Sequence, residues 1–422
     1  MEKKIKILIT GATLPPPYGG LIKRILLHSR EWIKSGCEVY LVEVFKRSHA
    51  KLSIPINVIY LITSRKKLLI EFMKCLLRYP LFSLSILLRT FQYHIKGCFK
   101  FKEVIISPVY EIKLFDILKQ IKPDVVITHH AFEESYLTVH ACSKLGIPVI
   151  LTSYSETLFW REKECDKNIA QLYEPLFKFI FENVSHVISP SMHCAKGVLK
   201  YVPPTKVSIV YSGVDYTYDK YTQIPKNKAK ELIGLYNSRI ILFVGQLHWR
   251  KGPQYLAQAS NSIIEKYPDV KIVFIGKDFG MKKIIEKITE NYKDHILFMG
   301  SVSDEILPIY IRAADVLVFP SVTQRECMGM SIKEAMLLET PIVAFNVGGI
   351  SEAILDGETG LLVELGNWKK LADNICKILQ YPELSRRICK KARKLALQKF
   401  ISSVTGKEEL SIILNNIIKN IK

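Results

Sequence analysis

In the stretch SVTQRECMGMSIKEAMLLETP (321–341), Glu326 and Glu334 lie eight positions apart among mostly apolar neighbours, with a single Lys333 and only Arg325 and Glu339 charged besides. A solvated helix face intersperses its acids with lysines, so this stretch reads as one that is buried together with its carboxylates. Buried carboxylates need hydrogen-bond donors, and a polar ligand can supply them. With a helix starting near Gly329 and Glu334 about one turn inside it, a rise of about 1.5 Å per residue separates the two acids by roughly 10 Å. That distance suits the two ends of an extended polar ligand better than a catalytic pair. An acid at a helix start followed by one surface glutamate fits the spacing equally well. Cations and imidazoles complete the set of candidates: Lys251 with Arg250 beside it, in the loop after an apolar run, and His129 with His130 at the end of PDVVITHH (123–130).

These residues need a scaffold, and the chain supplies a regular one. KIKILITG (4–11), EVYLVEV (38–44), PDVVITHH, IPVILTSY (147–154) and SHVISPS (185–191) are short, β-branched and separated by helical patterns. Such alternation argues for parallel βαβ units. KVSIVYSGVD (206–215) and the polar stretch after it read as a crossover and linker. The pattern restarts at RIILFVGQL (239–247) and runs through VKIVFIGK, ILFMGSV, ADVLVFPS and PIVAFNVGG to GLLVEL (360–365). Two Rossmann-like doubly wound domains follow, with a cleft between them. In open parallel sheets ligands lie beyond the carboxyl ends of strands, where Glu326 falls after ADVLVFPS.

A chain of 422 residues exceeds one ordinary core, and two domains of roughly 200 residues are the default. Nine cysteines without a C-x-x-C pair point to core thiols in a reducing compartment, hence the cytoplasm. No apolar run is long enough to span a membrane. The net charge is +20, and residues 61–102 hold nine Lys/Arg against one acid, interleaved with Leu, Ile and Phe. A basic segment with an apolar face predicts association with an anionic membrane surface. Nucleic acid is the weaker explanation of the charge, since no helix-turn-helix, zinc or RNA-binding signature accompanies it.

The E-x7-E pattern, with glycine three positions after the first glutamate and TPIVAFNVGGISEAILDGETGLLV following, resembles the donor-site region of glycosyltransferase family 4, retaining enzymes of GT-B architecture. The resemblance extends to FVGQLHWRKGPQYL (243–256), GSVSDEILPIYIRAADVLVFPS (300–321) and the Gly19-Gly20 loop. It is specific over most of 206–400 and looser before. It implies an acceptor-binding domain over 1–205, a nucleotide-sugar-binding domain over 206–398 and a C-terminal helix, 399–422, crossing back to the first domain. The implied reaction moves a hexose from a nucleoside diphosphate sugar to an acceptor hydroxyl of a lipid-linked sugar, a glycan or a small sugar. By resemblance Lys251 contacts the diphosphate, Glu334 the ribose hydroxyls and Glu326 the hexose.

The departing diphosphate needs fixed positive charge or dipoles. The sequence has no D-x-D to hold a metal. Helix N-termini, amides and cations are the substitutes, so neither metal nor cofactor is expected. Amides at Met328, Gly329 and Met330, together with Gly19 and Gly20, would approach phosphate or sugar, and the nucleobase slot is expected near Gly300, Ser301 and the next two residues. Two positions depart from the family pattern. Gln246 stands where an arginine is usual, with Arg250 a possible replacement. PVILTSY puts Tyr154 where an active-site histidine is usual, leaving His129 and His130 as candidates for the sugar pocket. The reading is a cytoplasmic transferase, peripheral on the inner face of the membrane. An epimerase or another GT-B enzyme acting without an acceptor is the alternative.

Overall fold

Short β-branched runs bounded by Gly and Pro form two all-parallel sheets in the computed structural model, which describes residues 4–11, 20–45, 54–62, 65–95, 100–154 and 167–421. The chain divides into two compact units, Met1–Tyr211 with Thr405–Lys422, and Ser212–Val404. The first unit holds β1 (Lys6–Thr10), β2 (Glu38–Phe45), β3 (Asn57–Ile62), β4 (Val125–His129), β5 (Val149–Thr152), β6 (His186–Ser189) and β7 (Val207–Ile209), in the order β3-β2-β1-β4-β5-β6-β7. Ile7, Ile9, Ile127, Ile150 and Ile188 face one side, buried with Ile25 and Trp32 of α1 (Gly20–Lys34) and Leu410 and Ile413 of the C-terminal helix Ser402–Ile421. Leu8, Val126, Leu151 and Val187 face the other, buried with side chains of α4 (Phe101–Ile121) and α5 (Glu133–Ser143). Helices on both faces are what a parallel sheet requires, and they explain the near-continuous apolar strands.

Two strands go beyond the sequence reading. Asn57–Ile62 pairs with β2, and Val207–Ile209, read above as part of a crossover and linker, pairs with β6. The first sheet therefore runs past residue 205. Both are edge strands with a neighbour on one side only, which demands fewer apolar residues and leaves a weaker pattern.

The second unit holds β8 (Arg239–Val244), β9 (Val270–Ile275), β10 (Ile296–Gly300), β11 (Val316–Phe319), β12 (Ile342–Phe345) and β13 (Leu361–Val363), in the order β10-β9-β8-β11-β12-β13. In both sheets the unit's first strand lies beside its fourth. Connections diverge there and open a crevice at the carboxyl ends, between β1 and β4 in one unit and between β8 and β11 in the other.

Candidate functional site

At the switch point of the second unit, β8 leads into a turn ending at Lys251 and β11 leads into the loop containing Glu326. The two loops touch. Gly252 has φ +69°, and a Cβ there would fall 1.8 Å from the Pro320 carbonyl oxygen, so only glycine permits the approach. The Arg250 carbonyl accepts the Val322 amide at 2.9 Å and lies 3.0 Å from the Ser321 hydroxyl. This arrangement brings Lys251 Nζ onto Glu326 Oε1, and Ser321 Oγ stands 2.9 Å from the same oxygen. The Glu326 carbonyl accepts the Gly349 amide at 2.8 Å, which ties in the loop after β12. Glu326 is 6% exposed, while the Lys251 side chain keeps 33% of its surface. The pair is thus a buried carboxylate held by two partners, and a cation partly open to solvent.

The helix after this loop spans Met330–Leu337 and buries Glu334, 4% exposed. Glu326 lies four residues before it, in irregular chain. The two glutamates therefore do not share one helix, and the helical rise does not set their separation. Met328 is buried, with Gly329 and Met330 partly buried at the helix start. Gln246 is exposed in the loop after β8, where its carbonyl accepts the His248 amide at 2.8 Å. Arg250 contributes its backbone to the loop contact, and among the described residues its guanidinium enters no ion pair. Gly300 ends β10, with its carbonyl accepting the Gly276 amide at 2.7 Å, and Ser301 beyond it is exposed. Both sit at the sheet edge, two strands from β8.

In the first unit Gly19 lies outside the described residues and Gly20 begins α1. His129, Tyr154 and His130 gather at the ends of β4 and β5. Tyr154 Oη stands 3.4 Å from His129 Nδ1, and the Tyr154 and His130 ring centroids are 4.7 Å apart. Burial, and then the Arg24 guanidinium, hold the His129 imidazole well below the ordinary histidine range. Four titratable groups here escaped the sequence reading. Glu409 of the C-terminal helix receives Arg24 Nη2 at 3.0 Å and pairs with His28 Nδ1, all three buried. Burial pushes the Glu134 carboxyl up to about 7, against hydrogen bonds from the Gly11 amide and Tyr110. A signal existed for one pair: Arg24 and His28 are four apart on the face of α1 that buries Ile25 and Trp32.

Two family models match, Glycosyltransferase Family 4 over residues 18–218 and glycosyl transferases group 1 over 225–395. Spore coat protein SA of Bacillus subtilis is 32% identical over 250 residues, covering 56% of this chain and 66% of that protein. The UDP-Gal:alpha-D-GlcNAc-diphosphoundecaprenol alpha-1,3-galactosyltransferase of Escherichia coli is 30% identical over 265 residues, covering 61% and 66%. The chain thus spans just under two thirds of either relative. The crystal structure of Anabaena HepE in complex with UDP and glucose shares the fold, with TM-score 0.72 at 17% identity, over 97% of this chain and 100% of that one. The two models together take in most of the chain, the E-x7-E stretch included, and the chain belongs to glycosyltransferase family 4 with a GT-B arrangement of two Rossmann-like sheets.

Proposed function

We propose that the protein is a retaining hexosyltransferase, moving a hexose from a nucleoside diphosphate sugar to an acceptor hydroxyl without a metal ion. The observation that carries this reading is the Lys251–Glu326 pair at the β8/β11 switch point. A cation for phosphate and a carboxylate for hydroxyls stand side by side where an open α/β sheet binds its ligand. HepE, of the same fold, holds UDP and glucose, and the ligand class is carried over without its base or sugar.

Donor binding gives Lys251 a diphosphate in place of Glu326. Glu326 then accepts hydrogen bonds from the hexose hydroxyls beside the one from Ser321, and Glu334 accepts from the ribose. As the bond between the anomeric carbon and the phosphate oxygen breaks, negative charge grows on the diphosphate. Lys251 and the amides at Met328–Met330 oppose it. The acceptor oxygen bonds to the anomeric carbon from the face the phosphate leaves, and its proton passes to the departing phosphate oxygen, so configuration is retained.

A mass-spectrometric screen of nucleotide sugars with the purified protein, followed by NMR of the product anomer, tests the reading. An inverted anomer would overturn retention, and isomerisation of the donor with no acceptor present would favour an epimerase. Excess chelator should leave transfer within about twofold. A loss restored by magnesium or manganese would overturn the metal-free reaction.

The acceptor side of the reading rests on α2 (Leu68–Arg78) and α3 (Pro80–Ile95). α2 buries only Cys75, and α3 only Ser83, Ile86 and Thr90. Leu69, Leu77, Leu81, Leu88, Phe91 and Ile95 are 46–82% exposed, with Lys66 and Lys67 exposed on the preceding turn. Among the described residues no helix is long and apolar enough to cross a membrane. An apolar face beside cations fits a helix pair lying in an anionic bilayer surface, each cation contributing about 1 kcal/mol. We place the enzyme in the cytoplasm, peripheral on the inner membrane face, with a lipid-linked acceptor. The E. coli relative acts, by its name, on a diphosphoundecaprenol-linked sugar. Cosedimentation with anionic but not neutral vesicles is expected, weakened by salt and by reversing Arg65, Lys66 and Lys67 to Glu. Equal binding to both vesicle types, or none, would favour a soluble sugar or glycan.

A further inference from the structure

Glu409 is distant in sequence from the ends of β4 and β5, yet a line of buried contacts leads from it to them. Its Oε1 accepts Arg24 Nη2 at 3.0 Å, and its Oε2 pairs with His28 Nδ1, whose Nε2 lies 3.0 Å from Thr405 Oγ1. Arg24 Nη1 donates to Tyr154 Oη at 3.4 Å, and Tyr154 Oη stands 3.4 Å from His129 Nδ1. A guanidinium has only donors, so the phenol oxygen accepts from Arg24, and the arrangement that also uses the phenol proton along this line donates it to His129 Nδ1. In the neutral ring the hydrogen then resides on Nε2. Burial and the adjacent Arg24 keep that ring neutral.

His129 Nε2 makes no hydrogen bond, and neither does Thr152 Oγ1. The two residues are register partners on adjacent strands, so their side chains share the sheet face that α1 and the C-terminal helix cover. Buried polar groups without partners are rare in a folded protein, and two on one face at the strand ends mark a place for a ligand oxygen. The backbone is committed as well. His130 follows at φ +62°, and a Cβ on Gly11 would fall 2.6 Å from the His129 carbonyl oxygen.

We propose that Glu409 is a positioning residue: through Arg24 and Tyr154 it fixes His129 as an Nε2–H donor, beside Thr152, to a hydroxyl oxygen of a sugar at the first unit's switch point. The proposal rests on the transferase reading for the identity of the ligand. The orientation of the imidazole does not depend on it.

Long-range 1H–15N spectra of the labelled full chain, with the His129 signal assigned by its loss in His129→Gln, read the tautomer directly. The wild type should show Nε2–H, and Glu409→Gln and Tyr154→Phe a mixture. In transfer assays His129→Gln, whose amide nitrogen reaches the Nε2 position, should retain kcat/KM within about fivefold, and His129→Asn should lose about fiftyfold. Glu409→Gln should lose about tenfold. An Nδ1–H wild type, an unchanged tautomer and rate in Glu409→Gln, or equal losses in the Gln and Asn variants of His129 would overturn the proposal. Should Glu409→Gln fail to fold, Tyr154→Phe carries the same two readouts. A wild type inactive on every nucleotide sugar would defeat the transferase reading, and the tautomer spectra would still decide whether Glu409 governs His129.

Discussion

The switch points of the two units share one strand order and carry different chemistry. Between β8 and β11 the charged groups stand on loops at the site itself, Lys251 against Glu326. Between β1 and β4 the charged pair, Arg24 and Glu409, is buried behind the site, and a neutral imidazole with hydroxyls lies in front. A partly exposed ammonium can exchange its carboxylate for a phosphate, which suits a ligand whose charge grows during reaction. A buried ion pair cannot make that exchange cheaply, and it serves instead to orient neutral donors. On the proposed reading the same fold offers one crevice for charge and one for hydroxyl groups.

The largest expected effect tests the buried pair. Burial alone would raise the Glu409 carboxyl, but Arg24 and then His28 bring it below the ordinary carboxylate range, down to about 2. A carboxylate depressed in the folded state stabilises the fold above its unfolded pKa, and that stability is lost as pH falls from about 5 to about 2, on the order of 3 kcal/mol. Denaturant titrations across this range should show a steep loss for the wild type and a flatter one for Glu409→Gln. Parallel curves would mean that the pair does not govern acid stability.

At the other switch point Lys251→Ala removes a charge-assisted contact worth about 1.5–3 kcal/mol, so transfer should fall roughly ten- to a hundredfold in kcat/KM. A variant within twofold of the wild type would place the diphosphate elsewhere. Glu326→Gln should lower turnover about tenfold yet tighten nucleoside diphosphate binding about threefold, because Lys251 loses its internal partner. Glu334→Ala should weaken that binding instead. Calorimetry with the diphosphate separates the two, and equal effects would refute the hexose and ribose assignments. The smallest expected change is Gln246→Arg, a tightening of about twofold from an added cation on the exposed loop. If Arg250→Ala proves the more damaging change, the arginine role has moved to Arg250.

Lys251 and Glu326 were legible as candidates because their signals are local. Lys251 and Glu326 sit in short motifs that follow apolar β runs, and those runs are β8 and β11. The edge strands β3 and β7 were less so, having one neighbour each. The eight-residue spacing of the glutamates misled, since the chain leaves helical geometry between Glu326 and Met330. Glu409 carried no local sign of its role, because an acid on an amphipathic helix reads as solvated until the helix is placed.

By itself the sequence determined the α/β class, the two doubly wound units and the carboxyl-end position of Lys251, Glu326, His129 and Tyr154, because side-chain period and strand ends are properties of neighbouring residues. Tertiary structure alone decided that Lys251 meets Glu326 across 75 positions and that Arg24 meets Glu409 across 385. Those meetings depend on which strands and helices lie side by side, and burial then turns such proximity into ion pairing and shifted pKa values.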